Sequence, residues 1–182
     1  MAQCRKLPFR VTPVFPHNQQ LEHIFRAAHG WYELGLVDDA EREIASLPIV
    51  AQLNPEVIKL RFHVARARKR PELAFNFALQ LIEAEKQGMW GWLYRSQALH
   101  WQGRTLEALE GLLLVRKNWL RGFEIPYDLA CYCAQLERFE EARDWFSKAV
   151  GLSKNQVAVK AMALNDPDLK PLWPEIVGGQ FR

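Results

Sequence analysis

The sequence has few cysteines and no long apolar run. Its three cysteines are an odd number without the paired spacing of a disulfide framework, which favours a reduced, cytoplasmic location. No uncharged stretch approaches the ~18 apolar residues that a membrane-spanning helix needs. The first twenty residues also lack the continuous apolar segment of a secretory signal. We therefore expect neither a membrane span nor a signal peptide.

Motifs for catalysis and metal binding are missing as well. The sequence contains no HExxH, GxGxxG or GxSxG pattern and no P-loop spacing. His29, His63 and Cys131 fall at equivalent positions of the first, second and fourth repeats, but stacked helices lie about 8–10 Å apart, too far to share one zinc ion. The other histidines, at positions 17, 23 and 100, have no evident nucleophile beside them. These absences predict a non-enzyme without a metal or another cofactor.

Composition sets broad limits on the fold. At 182 residues with 49% apolar content, the chain is long enough for one globular domain with a substantial core. The net charge of +3 is a mild excess of basic residues and does not by itself imply nucleic-acid binding.

The strongest positive signal is internal repetition. Small residues recur every 34 residues, at Ala40, Ala74, Ala108 and Ala142. Four positions after each alanine the sequence has Ile44, Ala78, Leu112 and Phe146, and twelve positions before it Ala28, Phe62, Ser96 and Ala130. A unit of this length holds two helices of about four turns, with the alanine where they approach most closely. The pattern predicts stacked helix pairs.

These columns resemble the tetratricopeptide repeat (TPR) family, whose pattern is W-x2-L-G-x2-Y, A-x3-F, P. The resemblance covers roughly residues 21–156. The first, third and fourth repeats match best, while the second has Phe62 at the small position and Lys69 at the turn glycine. The closing proline is missing from all four repeats. The resemblance implies an all-α superhelix of about four antiparallel helix pairs with a concave inner face and terminal capping helices.

The expected organisation has three parts. Residues 1–18 contain three prolines and form an extended arm that packs on the first repeat, on the groove or on another copy, so self-association through the arm is one expectation. Four repeats follow within 19–154, at about 21–54, 55–88, 89–122 and 123–156. Residues 155–182 form a capping helix and tail, with Asp166 capping a short helix opened by Pro167. Helix ends are expected at Gly35, Gly88 and Gly151, and Thr105 as a cap.

The resemblance also predicts which side chains face a partner. Core packing uses positions four, eight and eleven of each first helix, such as Ile24, Ala28 and Trp31. The neighbouring positions five, nine and twelve, here called the inner stripe, face the concavity: Phe25, His29 and Tyr32; Lys59, His63 and Arg66; Leu93, Gln97 and His100; Tyr127, Cys131 and Ala134. Trp90, Tyr94 and Trp101 flank the stripe. The predicted binding residues are Phe25, His29, Tyr32, Lys59, His63, Arg66, Trp90, Tyr94, Gln97, His100, Trp101 and Tyr127.

This surface suits a protein or peptide partner with apolar anchors and an acidic group. A TPR subgroup clamps a terminal carboxylate with Lys and Asn at fixed positions, but this sequence has Phe25 and His29 there, so no such clamp is expected. The leading hypothesis is a non-catalytic protein-binding adaptor or scaffold. Two alternatives stay open: an RNA-binding helical repeat and a regulatory subunit of a multiprotein complex. The related RNA-binding pentatricopeptide repeats have a period of 35 residues, so the period of 34 argues against the first alternative.

Overall fold

A computed structural model describes residues 13–119 and 121–181 of the chain, and every regular element in these ranges is helical. The described residues fall into two compact units, an N-terminal unit that ends at Ala98 and a C-terminal unit that begins at Leu99. The boundary lies within a single helix, because α6 runs from Met89 to Trp101.

The described residues form eleven α-helices. They are α1 Gln19–Glu33, α2 Val37–Ser46, α3 Ile49–Gln52, α4 Pro55–Ala67, α5 Pro71–Ala84, α6 Met89–Trp101, α7 Thr105–Val115, α8 Glu124–Gln135, α9 Phe139–Leu152, α10 Gln156–Ala163 and α11 Trp173–Val177. Two 3₁₀ helices join them, at Arg116–Asn118 and at Pro167–Leu172. The latter is called the C-terminal 3₁₀ helix. Within each unit, α1 packs on α2, α4 on α5 and α8 on α9, which are the first and second helices of their repeats.

The same turn joins the two helices in all four repeats. Its central residue has positive φ each time, at Gly35 (78°), Lys69 (54°), Gly103 (78°) and Glu137 (60°), which are 34 residues apart. Each turn closes the preceding helix with a pair of backbone hydrogen bonds, as in Gly103 N–H to His100 C=O and Arg104 N–H to Leu99 C=O. These two hydrogen bonds are those of a Schellman motif, in which one residue adopts the left-handed conformation. The backbone therefore keeps the repeat even where Lys69 and Glu137 replace glycine.

The alanine column is buried as the repetition predicts. Ala40, Ala74, Ala108 and Ala142 all have 0% of their surface exposed. The residues twelve positions earlier are buried to the same degree, since Ala28, Phe62 and Ala130 are 0% exposed and Ser96 is 2% exposed. The four alanines thus occupy equivalent core environments, and the prediction of an all-α helical-repeat fold is confirmed.

Several local predictions are wrong. Helix α5 ends at Ala84, four residues before Gly88. Its C-cap is Glu85, whose backbone N–H donates to the Leu81 carbonyl. Thr105 is the first residue of α7 rather than its cap, a position held by Arg104. Trp31, predicted as core, is 39% exposed, because it lies in the last turn of α1 where the helix leaves the core.

The described part of the N-terminal arm, residues 13–18, packs on the first repeat. Backbone N–H groups of Val14 and Phe15 donate to Oε2 of Glu22, both over 2.8 Å. The Phe15 ring meets Phe25 edge-on with 6.4 Å between centroids. The remainder of the predicted arm lies outside the described residues.

The C-terminal segment after α9 closes the second unit. Leu169, Leu172, Ile176 and Phe181 are all buried, and Phe181 meets Phe146 of α9 edge-on with centroids 4.8 Å apart. Asp166 caps the C-terminal 3₁₀ helix through Asp168 N–H, which confirms that prediction. Helix α10 buries Val159 and Ala163 and leaves Val157 78% exposed.

Candidate functional site

The inner stripe is less open than the resemblance implies. Six of the predicted binding residues are buried, namely Phe25, Lys59, His63, Tyr94, Gln97 and Tyr127. Five are half-buried, namely His29, Tyr32, Arg66, Trp90 and His100, and Trp101 is 38% exposed. A partner could touch the half-buried and exposed members directly, whereas the buried ones need a local rearrangement. Contact between a partner and these residues stays a prediction.

An aromatic and histidine cluster lies in the N-terminal unit. Nε2 of His63 in α4 and the hydroxyl of Tyr94 in α6 are 2.9 Å apart. The Tyr94 ring stacks on Phe62 with 4.1 Å between centroids, and the Trp90 ring is tilted against Tyr94 with 5.8 Å between centroids. The Tyr32 ring of α1 is 6.1 Å from His63. These contacts connect three successive first helices, so the stripe residue His63 and the flanking Tyr94 are also core residues.

His63 sits in a cationic and desolvated environment. Burial lowers its pKa well below the ordinary value of 6.5, and the nearby Arg66 and His29 lower it further. The imidazole is therefore neutral near pH 7. Its Nδ1 is fully buried and has no hydrogen-bond partner among the described residues. A buried polar atom in this condition is rare in folded proteins and calls for an explanation.

Two further stripe residues of this unit have defined environments. Lys59 is buried between two carboxylates, Glu56 at 2.9 Å and Glu85 at 3.1 Å, so its charge is compensated within the unit. His29 lies 3.8 Å from Glu33, and burial lowers the pKa of His29 more than this carboxylate raises it. Arg66 and His29 are thus the half-buried basic groups of the stripe here.

The basic turn that begins at Arg66 is held by acidic residues of α2. Arg68 pairs with Asp38 and Glu41, and Arg70 pairs with Glu41 over 3.2 Å. These ion pairs bind the second repeat to the first within the N-terminal unit. They agree with a solvated structural turn rather than a free basic patch.

In the C-terminal unit, the inner stripe is engaged by the chain's own C-terminal segment. The Tyr127 hydroxyl donates to Oδ2 of Asp166 over 3.0 Å, and Sγ of Cys131 lies 3.8 Å from the same oxygen. The side-chain amide of Gln135 donates to the Asp168 carbonyl over 3.0 Å. The contacts that Asp166, Asp168 and Gln135 make here were not predicted, because nothing in the local sequence pattern indicates that the chain returns to α8.

His100 lies between a hydroxyl and a carboxylate. Its Nδ1 is 2.9 Å from Oγ1 of Thr105, and its Nε2 is 3.1 Å from Oδ2 of Asp168. A carboxylate only accepts, so we assign the proton to Nε2, which leaves Nδ1 to accept from the Thr105 hydroxyl. The expectation that His100 lacks a hydroxyl partner is therefore wrong. Asp168 belongs to the buried C-terminal segment, so this chain of bonds also anchors that segment to α6 and α7.

Three further properties of the described residues concern metal binding, thiol reactivity and membrane spanning. No group of three or more His, Cys, Asp or Glu side chains in residues 13–119 and 121–181 is placed to hold a metal ion. The buried Cys133 thiol has its pKa raised to about 11, first by burial and then by Glu141, which makes it a poor nucleophile. None of the helices that the structure describes combines the length and apolar character needed to cross a membrane.

Comparison with known structures identifies the fold. A solved chain titled "MamA MSR-1 C2", a TPR-like protein, matches with a TM-score of 0.56 and 21% sequence identity, over 75% of this chain and 80% of that chain. The fold is TPR-like. No protein-family model and no curated protein matches the sequence. At 21% sequence identity this likeness concerns the fold alone.

Proposed function

We propose that this chain is a non-catalytic protein-interaction module that binds a peptide or partner protein through the inner stripe of its N-terminal unit. The observation that carries the proposal is the group of half-buried basic and aromatic side chains on and beside the stripe of the N-terminal unit. In the C-terminal unit, His100, Tyr127 and Cys131 already contact the chain's own Asp166 and Asp168. In the N-terminal unit the half-buried members of the stripe are His29, Tyr32 and Arg66, and the half-buried Trp90 flanks them.

The free energy gained by burying its apolar side chains indicates that the C-terminal segment is a fixed cap. Displacing it would expose Leu169, Leu172, Ile176 and Phe181, all buried at present. Full burial of such side chains contributes about 1.5–3 kcal/mol each, so a partner gains little by competing for the stripe of the C-terminal unit. The predicted binding residues His100 and Tyr127 therefore have a structural part in this proposal, and the partner-facing part belongs to the N-terminal unit.

Residue chemistry supports a protein partner. Trp, Tyr and Arg are the side chains that most often dominate binding energy at protein interfaces. Trp90, Tyr32 and Arg66 supply one of each. RNA binding and a regulatory role within a larger complex are the alternative outcomes. Thr105, His100 and Asp168 are joined by hydrogen bonds, so ester hydrolysis is assayed directly as well.

The experiment is affinity capture followed by calorimetry on the purified partner. Captured proteins are identified by mass spectrometry and titrated into wild type, Arg66→Ala and Trp90→Ala, with Leu114→Ala as a control on an exposed side chain of the other unit. The proposal expects both stripe variants to weaken binding by about tenfold or more while the control binds like wild type.

Folding of each variant is checked by circular dichroism. If both stripe variants fold and bind like wild type, the inner stripe is not the binding surface. Binding of RNA with a steep salt dependence would favour the RNA-binding alternative, and ester hydrolysis abolished by Thr105→Val would favour an enzyme.

A further inference from the structure

The chain contains its own example of how an inner stripe holds carboxylates. The turn Asp166-Pro167-Asp168 lies against the stripe of the C-terminal unit. One carboxylate contacts position five and position nine of α8, through Tyr127 and Cys131. The second contacts position twelve of the preceding first helix, through His100. Two acidic side chains separated by one residue thus reach two adjacent repeats.

The equivalent positions two repeats earlier lie in the N-terminal unit. Subtracting 68 residues takes Tyr127 to Lys59, Cys131 to His63 and His100 to Tyr32. Each replacement keeps a group that can donate a hydrogen bond to a carboxylate, as an ammonium, an imidazole N–H and a phenol. The Tyr32 and His63 rings lie 6.1 Å apart, so these two positions adjoin in the structure as well as in the repeat.

His63 also has an unused hydrogen-bonding atom at this position. Its Nε2 is engaged by the Tyr94 hydroxyl, while Nδ1 is buried without a partner among the described residues. When Tyr94 donates to Nε2, the proton of the neutral imidazole is on Nδ1, which is then a donor without an acceptor. In the C-terminal unit, Cys131 at the same position faces Oδ2 of Asp166.

We propose that the N-terminal unit binds an acidic turn of the partner protein, of the form Asp-x-Asp, with one carboxylate on His63 Nδ1 and the other on the Tyr32 hydroxyl. The proposal rests on the proposed function and names the chemistry of its partner. Arg66 adds positive potential around His63, which favours an anion at this place. Because His63 is 3% exposed, the side chains around it must shift before the turn can enter, and the Tyr32 hydroxyl then contacts the second carboxylate.

The probe is a fluorescent peptide with the sequence of residues 164–170, LNDPDLK, added to the full-length chain. The matched control peptide has asparagine at both aspartate positions. We expect the acidic peptide to bind about tenfold more tightly, because an ionised acceptor makes the stronger hydrogen bonds. Fluorescence anisotropy measures both affinities, and a peptide-dependent ¹⁵N shift of the His63 imidazole reports on the contact itself.

Three variants test the residues. His63→Phe keeps an aromatic ring and removes the donor, and we expect about a tenfold loss of affinity. Tyr32→Phe removes one hydroxyl and should give a smaller loss, which keeps the test decisive if His63→Phe does not fold. His23→Ala, an exposed histidine on α1, is the control and should bind like wild type.

The outcomes separate this inference from the function on which it rests. Three results would overturn this inference. The two peptides bind equally, neither peptide binds, or Tyr32→Phe keeps wild-type affinity while the His63 signal stays unchanged. Peptide-induced shifts at His100 and Tyr127 instead would mean that the peptide displaces the chain's own segment, and would overturn it as well. A captured partner that depends on Arg66 and Trp90 but is not displaced by the acidic peptide would leave the proposed function standing and remove only this inference.

Discussion

The Tyr94 hydroxyl and Nε2 of His63 lie 2.9 Å apart, and this contact joins α6 to α4 inside the N-terminal unit. Both side chains are almost fully buried, with 2% and 3% of their surface exposed. A buried imidazole that loses this contact has no second partner among the described residues to replace it, because Nδ1 is also unpaired. The pair therefore matters for stability as well as for the binding chemistry proposed above.

Tyr94→Phe should lower the free energy of unfolding by about 1–3 kcal/mol, because it leaves a buried nitrogen without its hydrogen bond. The double variant with His63→Phe should cost less than the two single variants together, since removing both partners leaves no orphaned polar atom. Urea denaturation of the four proteins gives the coupling energy. Strictly additive effects would contradict the contact.

The turn glycines and their replacements should respond in opposite directions to substitution. Gly103→Ala should destabilise by about 1 kcal/mol, because φ is +78° and a Cβ there meets open space, so only backbone strain is involved. Lys69→Gly should stabilise by up to about 1 kcal/mol for the converse reason. Thermal unfolding of each variant gives the sign.

Gly151→Ala is the matched control for the turn positions. This glycine lies inside α9 without a positive φ, and its Cβ would also meet open space. Alanine there should stabilise by about 0.5–1 kcal/mol through helix propensity. If Gly103→Ala stabilised as Gly151→Ala does, the left-handed turn would be wrong.

The end of the chain should be essential to the C-terminal unit. Phe181→Ala removes a side chain that is 5% exposed and packs on Phe146, and it should lower the free energy of unfolding by about 3–5 kcal/mol. Val177→Ala, at a side chain 75% exposed, should change it by less than about 0.5 kcal/mol. Denaturant unfolding followed by circular dichroism distinguishes the two. Equal, small effects would mean that the segment is not a cap.

Attachment of residues 14 and 15 should depend on pH through Glu22. Burial raises the pKa of Glu22, but hydrogen bonds from Phe15 N–H, the Arg26 side chain and Val14 N–H outweigh it, so the pKa lies below the ordinary value of 4.5. A lowered folded-state pKa gives stability that is present above the unfolded-state pKa and is lost as pH falls through the folded-state value.

The stability difference between wild type and Glu22→Gln should therefore be full at neutral pH and shrink as the pH falls below about 4.5. Urea denaturation at several pH values measures it, with the exposed Glu83→Gln as the control. A difference that grows towards acid pH would contradict the assignment.

The helical repeat was predictable because its cause is local and periodic. A small residue where two helices cross, an apolar neighbour four positions on and a short turn between them recur within each 34-residue unit, so Ala40 and Ala142 report the same packing. Even the degenerate second repeat could be aligned, although Lys69 hid its turn, because the backbone geometry depends on spacing more than on side-chain type. Trp31 shows the limit, since a consensus position at a helix end can be exposed.

The occupancy of the inner stripe was decided only by tertiary structure. Asp166 meets Tyr127 across 39 residues and Asp168 meets His100 across 68, so no local pattern of helix or turn residues could pair them. The burial of His63 and Tyr94 also depends on tertiary structure, although their positions on the first helices of successive repeats were predictable. Periodicity determines which side chains share a column. Whether a column faces solvent, another ring or the chain's own carboxylates depends on where distant segments pack, because burial and hydrogen bonding are properties of the assembled helices and not of any one of them.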